Sequence, residues 1–314
     1  MEKYIFGVDL GGTTVKLGLF DGQGALLDKW EIVTVTANKG ERILPDITDS
    51  IKAKMEEKGI SADQLKGIGL GVPGAVMNDS YADPCVNLDQ WGGFDAAAEL
   101  TRLCGAPAKV ANDANVAAIG EFVGGAAKGY TNVVMITLGT GVGCGIILNK
   151  RLLRGSHGAG GEFGHVKIHD DCPVTCGCGG KGCLEQYTSA TGIVRCAKLA
   201  LAESDGNSAM AKFEKLTCKD VFDCAKAGDQ LALKIVDDMG RDLGMSLANA
   251  ANLIDPEIIV IGGGVSRAGQ IIIDAIKKYY PIYAFPACRD VEFKLATLGN
   301  DAGIYGAAGL ILEK

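Results

Sequence analysis

Tyr4-Ile5-Phe6-Gly7-Val8-Asp9-Leu10-Gly11-Gly12-Thr13-Thr14-Val15-Lys16-Leu17-Gly18-Leu19-Phe20-Asp21-Gly22 carries the pattern that decides the fold. Tyr4 to Asp9 is an apolar run of strand length, Gly11-Gly12-Thr13-Thr14 a turn, and Val15 to Phe20 the returning strand before the Asp21-Gly22 turn. The same grammar recurs at Val133 to Leu138, Gly139-Thr140-Gly141 and Val142 to Leu148, where glycines break the interior of the second strand. We read the pair as a weak internal duplication. Both copies place Gly and Thr at a hairpin tip, where no Cβ blocks the approach of a ligand to backbone N–H groups.

Outward from these hairpins, Arg42 to Lys58 predicts a helix, Gly67 to Val72 a buried strand, and Lys109-Val110-Ala111 a strand ending at Asn112-Asp113, with a helix from Ala114 to Val123. Leu231, Ile235, Met239, Leu243 and Leu247 form one apolar helical face within Leu231 to Asn252, which Pro256 ends. Glu257 to Ile261 is a strand running into Gly262-Gly263-Gly264, and Ala268 to Tyr279 resumes helix. Strands and helices alternate in both halves, which means α/β architecture with two lobes and a cleft. The expected division is residues 1–115 for a small lobe and 116–302 for a large one, with 303–314 a last helix returning to the small lobe.

Of 314 residues, 47% are hydrophobic and 22% charged, the balance of a globular protein with a large core and not of a disordered chain. The length suggests two domains. Lys and Arg number 31 against 38 Asp and Glu, a net charge of −7, which argues against nucleic acid or an anionic membrane as partner. It leaves a small anionic ligand open. No stretch has the sustained apolarity of a signal peptide or membrane span, so a cytoplasmic location is expected. Glycine, at 45 residues, is about twice its usual share without any collagen-like period. Four of eleven cysteines, Cys172, Cys176, Cys178 and Cys183, fall within twelve residues, and in a reducing compartment such a cluster suits metal.

Asp9 ends an apolar strand just before Gly11-Gly12-Thr13-Thr14, with Lys16 beyond. A carboxylate so placed can hold Mg²⁺ through water while the turn binds phosphate oxygens, although an ordinary hairpin with a terminal Asp has the same look. Neither hairpin matches G-x-x-x-x-G-K-[ST], which excludes a P-loop. Gly262-Gly263-Gly264 lacks the last Gly of a Rossmann fingerprint but could line an adenine. Asn112 and Asp113 stand before a helix, where they serve either as caps or as a catalytic pair. Cys176, Cys178 and Cys183, spaced C-x-C-x₄-C, with Cys172 nearby, offer thiols for a tetrahedral metal. His157 and His169 have no partner nameable from sequence, and Trp91 reads as packing.

Asp9 to Lys16, Leu138 to Gly143, Gly161-Glu162-Phe163-Gly164-His165, and Cys176-Gly177-Cys178-Gly179-Gly180-Lys181-Gly182-Cys183-Leu184-Glu185 together resemble the ROK sugar-kinase family, most nearly its glucokinase branch, over Tyr4 to about Leu312. The resemblance implies an actin-like (ribonuclease H-like), two-lobed, ATP-dependent kinase for glucose, usually a homodimer. It implies Asp113 as general base, and Gly74, Asn87, Asn112, Glu162, His165 and Glu185 as sugar contacts. Asp9, Gly11, Gly12, Thr13, Thr14, Lys16, Gly139, Thr140 and Gly141 would serve Mg²⁺ and the ATP phosphates, Gly262 to Gly264 the adenine, and His165, Cys176, Cys178 and Cys183 a structural Zn²⁺ in a tetrahedral Cys₃His set, with Cys172 as a competing thiol. Fructose, mannose or an N-acetylhexosamine as acceptor, polyphosphate as donor, and a non-catalytic sugar sensor are the alternatives. The family's repressors add a helix-turn-helix, for which no room is expected ahead of Asp9.

Overall fold

Apolar runs bounded by glycine form the strands of the first sheet: β1 (Tyr4–Leu10), β2 (Thr14–Asp21), β3 (Leu26–Val33), β4 (Leu65–Val72) and β5 (Ala108–Asn112). The computed structural model describes residues 2–85, 88–170 and 172–313. The sheet order is β3-β2-β1-β4-β5, with β1, β2 and β3 antiparallel in sequence and β1, β4 and β5 parallel. The second sheet uses β6 (Val133–Leu138), β7 (Val142–Leu148), β8 (Arg151–Leu152), β9 (Ile258–Gly262) and β10 (Glu292–Leu295) in the order β8-β7-β6-β9-β10. Each sheet thus has its first strand at the centre, its hairpin partner to one side and two parallel strands to the other. The duplication seen in the two hairpins extends to whole sheets, and the fold is of the actin-like α/β class.

The chain divides into two compact units, one of Met1–Gly129, Gly145–Gly161 and Thr297–Lys314, the other of Tyr130–Cys144 and Glu162–Ala296. In the first, both sheet faces are covered, so β1 and β4 are buried almost throughout. Helix Ile43–Lys58 turns Ile43, Ile47 and Ile51 to one face, while Ile304 and Ala308 of helix Ala302–Leu312 meet Ile5 and Phe20 on the other. That last helix lies almost on bare backbone. A Cβ added at Gly69 of β4 would stand 1.7 Å from the Ala307 carbonyl oxygen, and one at Gly306 would stand 1.5 Å from the Val116 carbonyl oxygen. Helices Asp113–Gly124 and Ala302–Leu312 are therefore in backbone contact. This packing holds all of Asp113–Gly124 in the first unit, and the division falls after Gly129 where the sequence suggested residue 115.

In the second unit, helix Gln230–Ile254 buries Ile235, Met239, Leu243 and Leu247 and ends at Asp255, whose φ of 52° is left-handed, just before Pro256. Helix Gln270–Tyr283 continues beyond the expected stop at Tyr279 and includes Pro281. Proline in a last turn forfeits only one intrahelical bond, which packing can offset. Trp91 is buried and meets the Phe94 ring edge-on at 5.4 Å, a packing role. Among the described residues, no helix is long and apolar enough to cross a membrane.

Gly306→Ala forces a methyl into occupied space. It should lower stability by about 1–3 kcal/mol, read as a reduced urea midpoint at unchanged m-value; a wild-type midpoint would mean the two helices can part at no cost.

Candidate active site

Asp9 lies near the end of β1, opposite Lys16 on β2. Burial raises its carboxyl pKa from the usual 3.8 to about 6, Lys16 opposes the shift, and the charge of Asp113 adds to it. Helix Ala302–Leu312 comes so close that a Cβ at Gly303 would lie 2.4 Å from the Asp9 Oδ2. At the hairpin tip, Thr34 Oγ1 donates to the Gly11 carbonyl at 2.7 Å and the Thr34 N–H donates to the Thr13 carbonyl at 2.9 Å. Because a trans peptide directs its C=O and N–H oppositely, the bonded Gly11 carbonyl turns the Gly12 N–H outward. Gly12 and Thr13 are exposed. Lys16 Nζ donates to the Asn300 carbonyl at 3.3 Å.

The two readings of Asn112-Asp113 separate in the structure. Asn112 is the cap: its Oδ1 accepts from the Ala114 N–H at 2.9 Å and the Asn115 N–H at 3.3 Å. Its Nδ2 donates to the Gly74 carbonyl at 2.9 Å, which brings Gly74 beside it. Asp113 occupies the first helical position, exposed, with one carboxylate oxygen accepting the Ala114 N–H at 2.8 Å. Asp9 and Asp113 are close enough to interact electrostatically. Asn87 lies outside the described residues.

In the second unit, the short turn Phe163–His165 places the Glu162 carboxylate 3.6 Å from His165 Nε2. The other ring nitrogen, Nδ1, faces Cys176 Sγ at 3.5 Å, and Cys178 Sγ lies 3.6 Å from Cys183 Sγ. All four potential ligand atoms fall within 4.8 Å of one another. A tetrahedron with the usual zinc bond lengths has S···S edges of about 3.8 Å and N···S edges of about 3.5 Å, so the set fits zinc. The cysteines are free thiols. Cys172 stands apart from this set, its thiol donating to the Val174 carbonyl at 3.5 Å.

Several neighbours escaped the sequence reading. Lys167 Nζ donates to Cys183 Sγ at 2.8 Å and brings a cation to the thiol cluster. His169, which had no partner on paper, bonds the buried Asp242 at 3.2 Å and packs on Tyr187 with ring centroids 4.4 Å apart. Glu185 Oε2 accepts the Val142 N–H at 2.9 Å, next to the second hairpin tip. Gly262 closes β9, and Gly263 presses on the base of that hairpin: a Cβ there would lie 2.4 Å from the Leu138 carbonyl oxygen. The structure thus gathers Gly262 to Gly264 and Gly139 to Gly141 in one region of the second unit.

Two sheets of identical order, each with its central strand ending at a glycine-threonine hairpin, define an actin-like α/β protein. The sequence matches the ROK family over residues 5–314, and the chain belongs to that family. It is 41% identical to the glucokinase of Halalkalibacterium halodurans, with 100% of this chain and 96% of that protein aligned. Among solved structures it is similar to a ROK family glucokinase from Streptomyces griseus in complex with glucose and AMPPNP, at 33% identity and TM-score 0.76 over 98% of each chain. It is also similar to the ROK hexokinase from Thermus thermophilus, at 31% identity and TM-score 0.80 over 97% of this chain and 96% of that one.

With its carboxyl at about 6 when folded and 3.8 when exposed, Asp9 binds its proton more tightly in the folded state. Its contribution to stability is therefore greatest below about pH 4 and is lost as pH rises through 6. Without ligands, Asp9→Asn should be more stable than wild type at pH 7.5 by on the order of 1–3 kcal/mol, and the difference should vanish near pH 4. Denaturant titrations at both pH values decide; a difference that does not change with pH would place the carboxyl in a water-like setting.

Proposed function

We propose that the protein transfers the γ-phosphoryl group of ATP to the 6-hydroxyl of glucose, yielding glucose 6-phosphate and ADP. The full-length similarity to a glucokinase carries this reading, and the local chemistry agrees with it. Asp113 accepts the hydroxyl proton as the sugar oxygen forms its bond to phosphorus and the bond to the ADP oxygen breaks. Asn112, already ordered by its cap and by Gly74, holds a neighbouring hydroxyl; Gly74 and Asn87 add sugar contacts. Glu162, His165 and Glu185 are assigned to further hydroxyls.

For the nucleotide, Gly11 to Thr14 with Lys16 and Gly139 to Gly141 contact phosphate, and Gly262 to Gly264 back the adenine. Asp9 orients the water shell of Mg²⁺, which when bound neutralises phosphate charge. His165 Nδ1, Cys176, Cys178 and Cys183 would hold a structural Zn²⁺, which when bound would tie the turn after Glu162 to the segment that leads into Glu185. This leaves His165 Nε2, on the Glu162 side, to meet the sugar. A homodimer in the cytoplasm completes the proposal.

An assay of sugar-phosphate formation across glucose, fructose, mannose and N-acetylhexosamines, with ATP or polyphosphate as donor and ADP release followed for ATP, tests it. Glucose with ATP should give the highest kcat/KM. Asp113→Asn should retain its fold by circular dichroism yet lose about 10²–10⁴ in kcat. Absence of sugar-dependent ADP release, or a mutant with wild-type kcat, would overturn the assignment.

Metal analysis is expected to find one zinc per chain, and Cys178→Ser should lose it together with glucose affinity. Protein purified without stoichiometric zinc would remove the metal from the proposal.

A further inference from the structure

The second hairpin tip takes three of its backbone bonds from one short segment, Glu185 to Thr191, which begins just after the thiol Cys183. The Ala190 N–H donates to the Gly139 carbonyl at 2.8 Å, Thr191 Oγ1 donates to the Thr140 carbonyl at 2.8 Å, and Glu185 Oε2 accepts the Val142 N–H at 2.9 Å. Glycine at 141 is needed for the last of these, because a Cβ there would lie 2.4 Å from the same carboxylate oxygen. The segment itself is firmly held. Thr188 and Ser189 are fully buried, the Ser189 hydroxyl caps helix Ala190–Glu203 by accepting the Gly192 N–H, and the Leu184 N–H donates to the Val166 carbonyl beside His165.

Peptide planarity gives these bonds a direction. The described peptides are all trans, so drawing the Gly139 and Thr140 carbonyls toward the segment turns the Thr140 and Gly141 N–H groups away from it, side by side. Successive N–H groups on one side of a turn make an anion-binding concavity. Glu185 also connects at its other end: Oε1 lies 3.8 Å from Cys176 Sγ.

We propose that the metal loop sets the phosphate hairpin, with Glu185 and Thr191 as positioning residues that fix the Thr140 and Gly141 amides for a nucleotide phosphate. The proposal rests on the kinase reading above and extends it, because it ties the metal to the nucleotide as well as to the sugar.

Thr191→Val deletes the hydroxyl at nearly constant volume. Affinity for ADP without sugar, measured by calorimetry, should fall about twofold to tenfold and recover in Thr191→Ser, while zinc content and glucose affinity stay at wild type. Stripping zinc from the wild type with a chelator should weaken ADP and speed amide hydrogen exchange at Thr140 to Val142, and stripping Thr191→Val should weaken ADP by a smaller further factor. If both the valine variant and the stripped wild type bind ADP as tightly as the intact protein, the coupling is wrong. Should the intact protein bind no ADP, the kinase reading fails, and hydrogen exchange alone judges the coupling: faster exchange in Thr191→Val and in the stripped protein supports it, and unchanged exchange overturns it. Protein isolated without zinc overturns the metal end of the proposal.

Discussion

At Gly69 and Gly306 no side chain separates helix Ala302–Leu312 from the backbone it crosses, and the first unit is arranged around that constraint. Gly69 and Gly306 forgo roughly 0.5–1 kcal/mol each relative to alanine in regular structure, and in return carbonyl groups of one element lie against the Cα atoms of the next. The closeness carries through to chemistry. It brings Gly303 against Asp9 and contributes to the desolvation that lifts that carboxyl to about 6. It also seats helix Asp113–Gly124, whose first turn presents Asn112 as cap and Asp113 as an exposed carboxylate. A glycine lining and an acidic pair are thus one arrangement.

The second unit reaches a similar hairpin by different means. Thr34, next to the end of β3, anchors the first tip with its own hydroxyl and amide. The second tip is anchored from the segment after Cys183. Were the proposed zinc bound, three thiolates would outweigh the divalent ion by one charge, and the Lys167 ammonium on Cys183 Sγ would offset it. The same backbone plan therefore carries two unlike supports, which fits a duplication whose halves have diverged.

Much of the architecture was legible because it is written locally. β6 and β7 have the bounds their apolar runs predict, since glycines mark both ends of the hairpin. The cysteine cluster was visible in the spacing, while the choice of His165 with Cys176, Cys178 and Cys183 came from the family motif; the structure brings these four side chains together. β3 was missed because it is an edge strand whose exposed face alternates Leu27, Lys29, Glu31 and Val33, a pattern too polar to read as sheet. Helix Ala96–Cys104 was missed as well, being only nine residues long and so too short for a clear apolar period. The unit division, the Asp242 partner of His169 and the anchoring of Thr140 by Thr191 depend on chain segments far apart, and any residue's amide could have done what Ala190 does. No periodicity encodes such meetings.

The first unit is closed by chain that lies at the opposite end of the sequence from its sheet. On a ribosome, β1 and β2 emerge early, yet Ile5 and Phe20 acquire Ile304 and Ala308 only about 280 residues after β2 has been made. Until then one face of the sheet lacks its apolar cover. Synthesis interrupted shortly before residue 302 would therefore leave Ile5 and Phe20 exposed on that face, the kind of surface that favours aggregation.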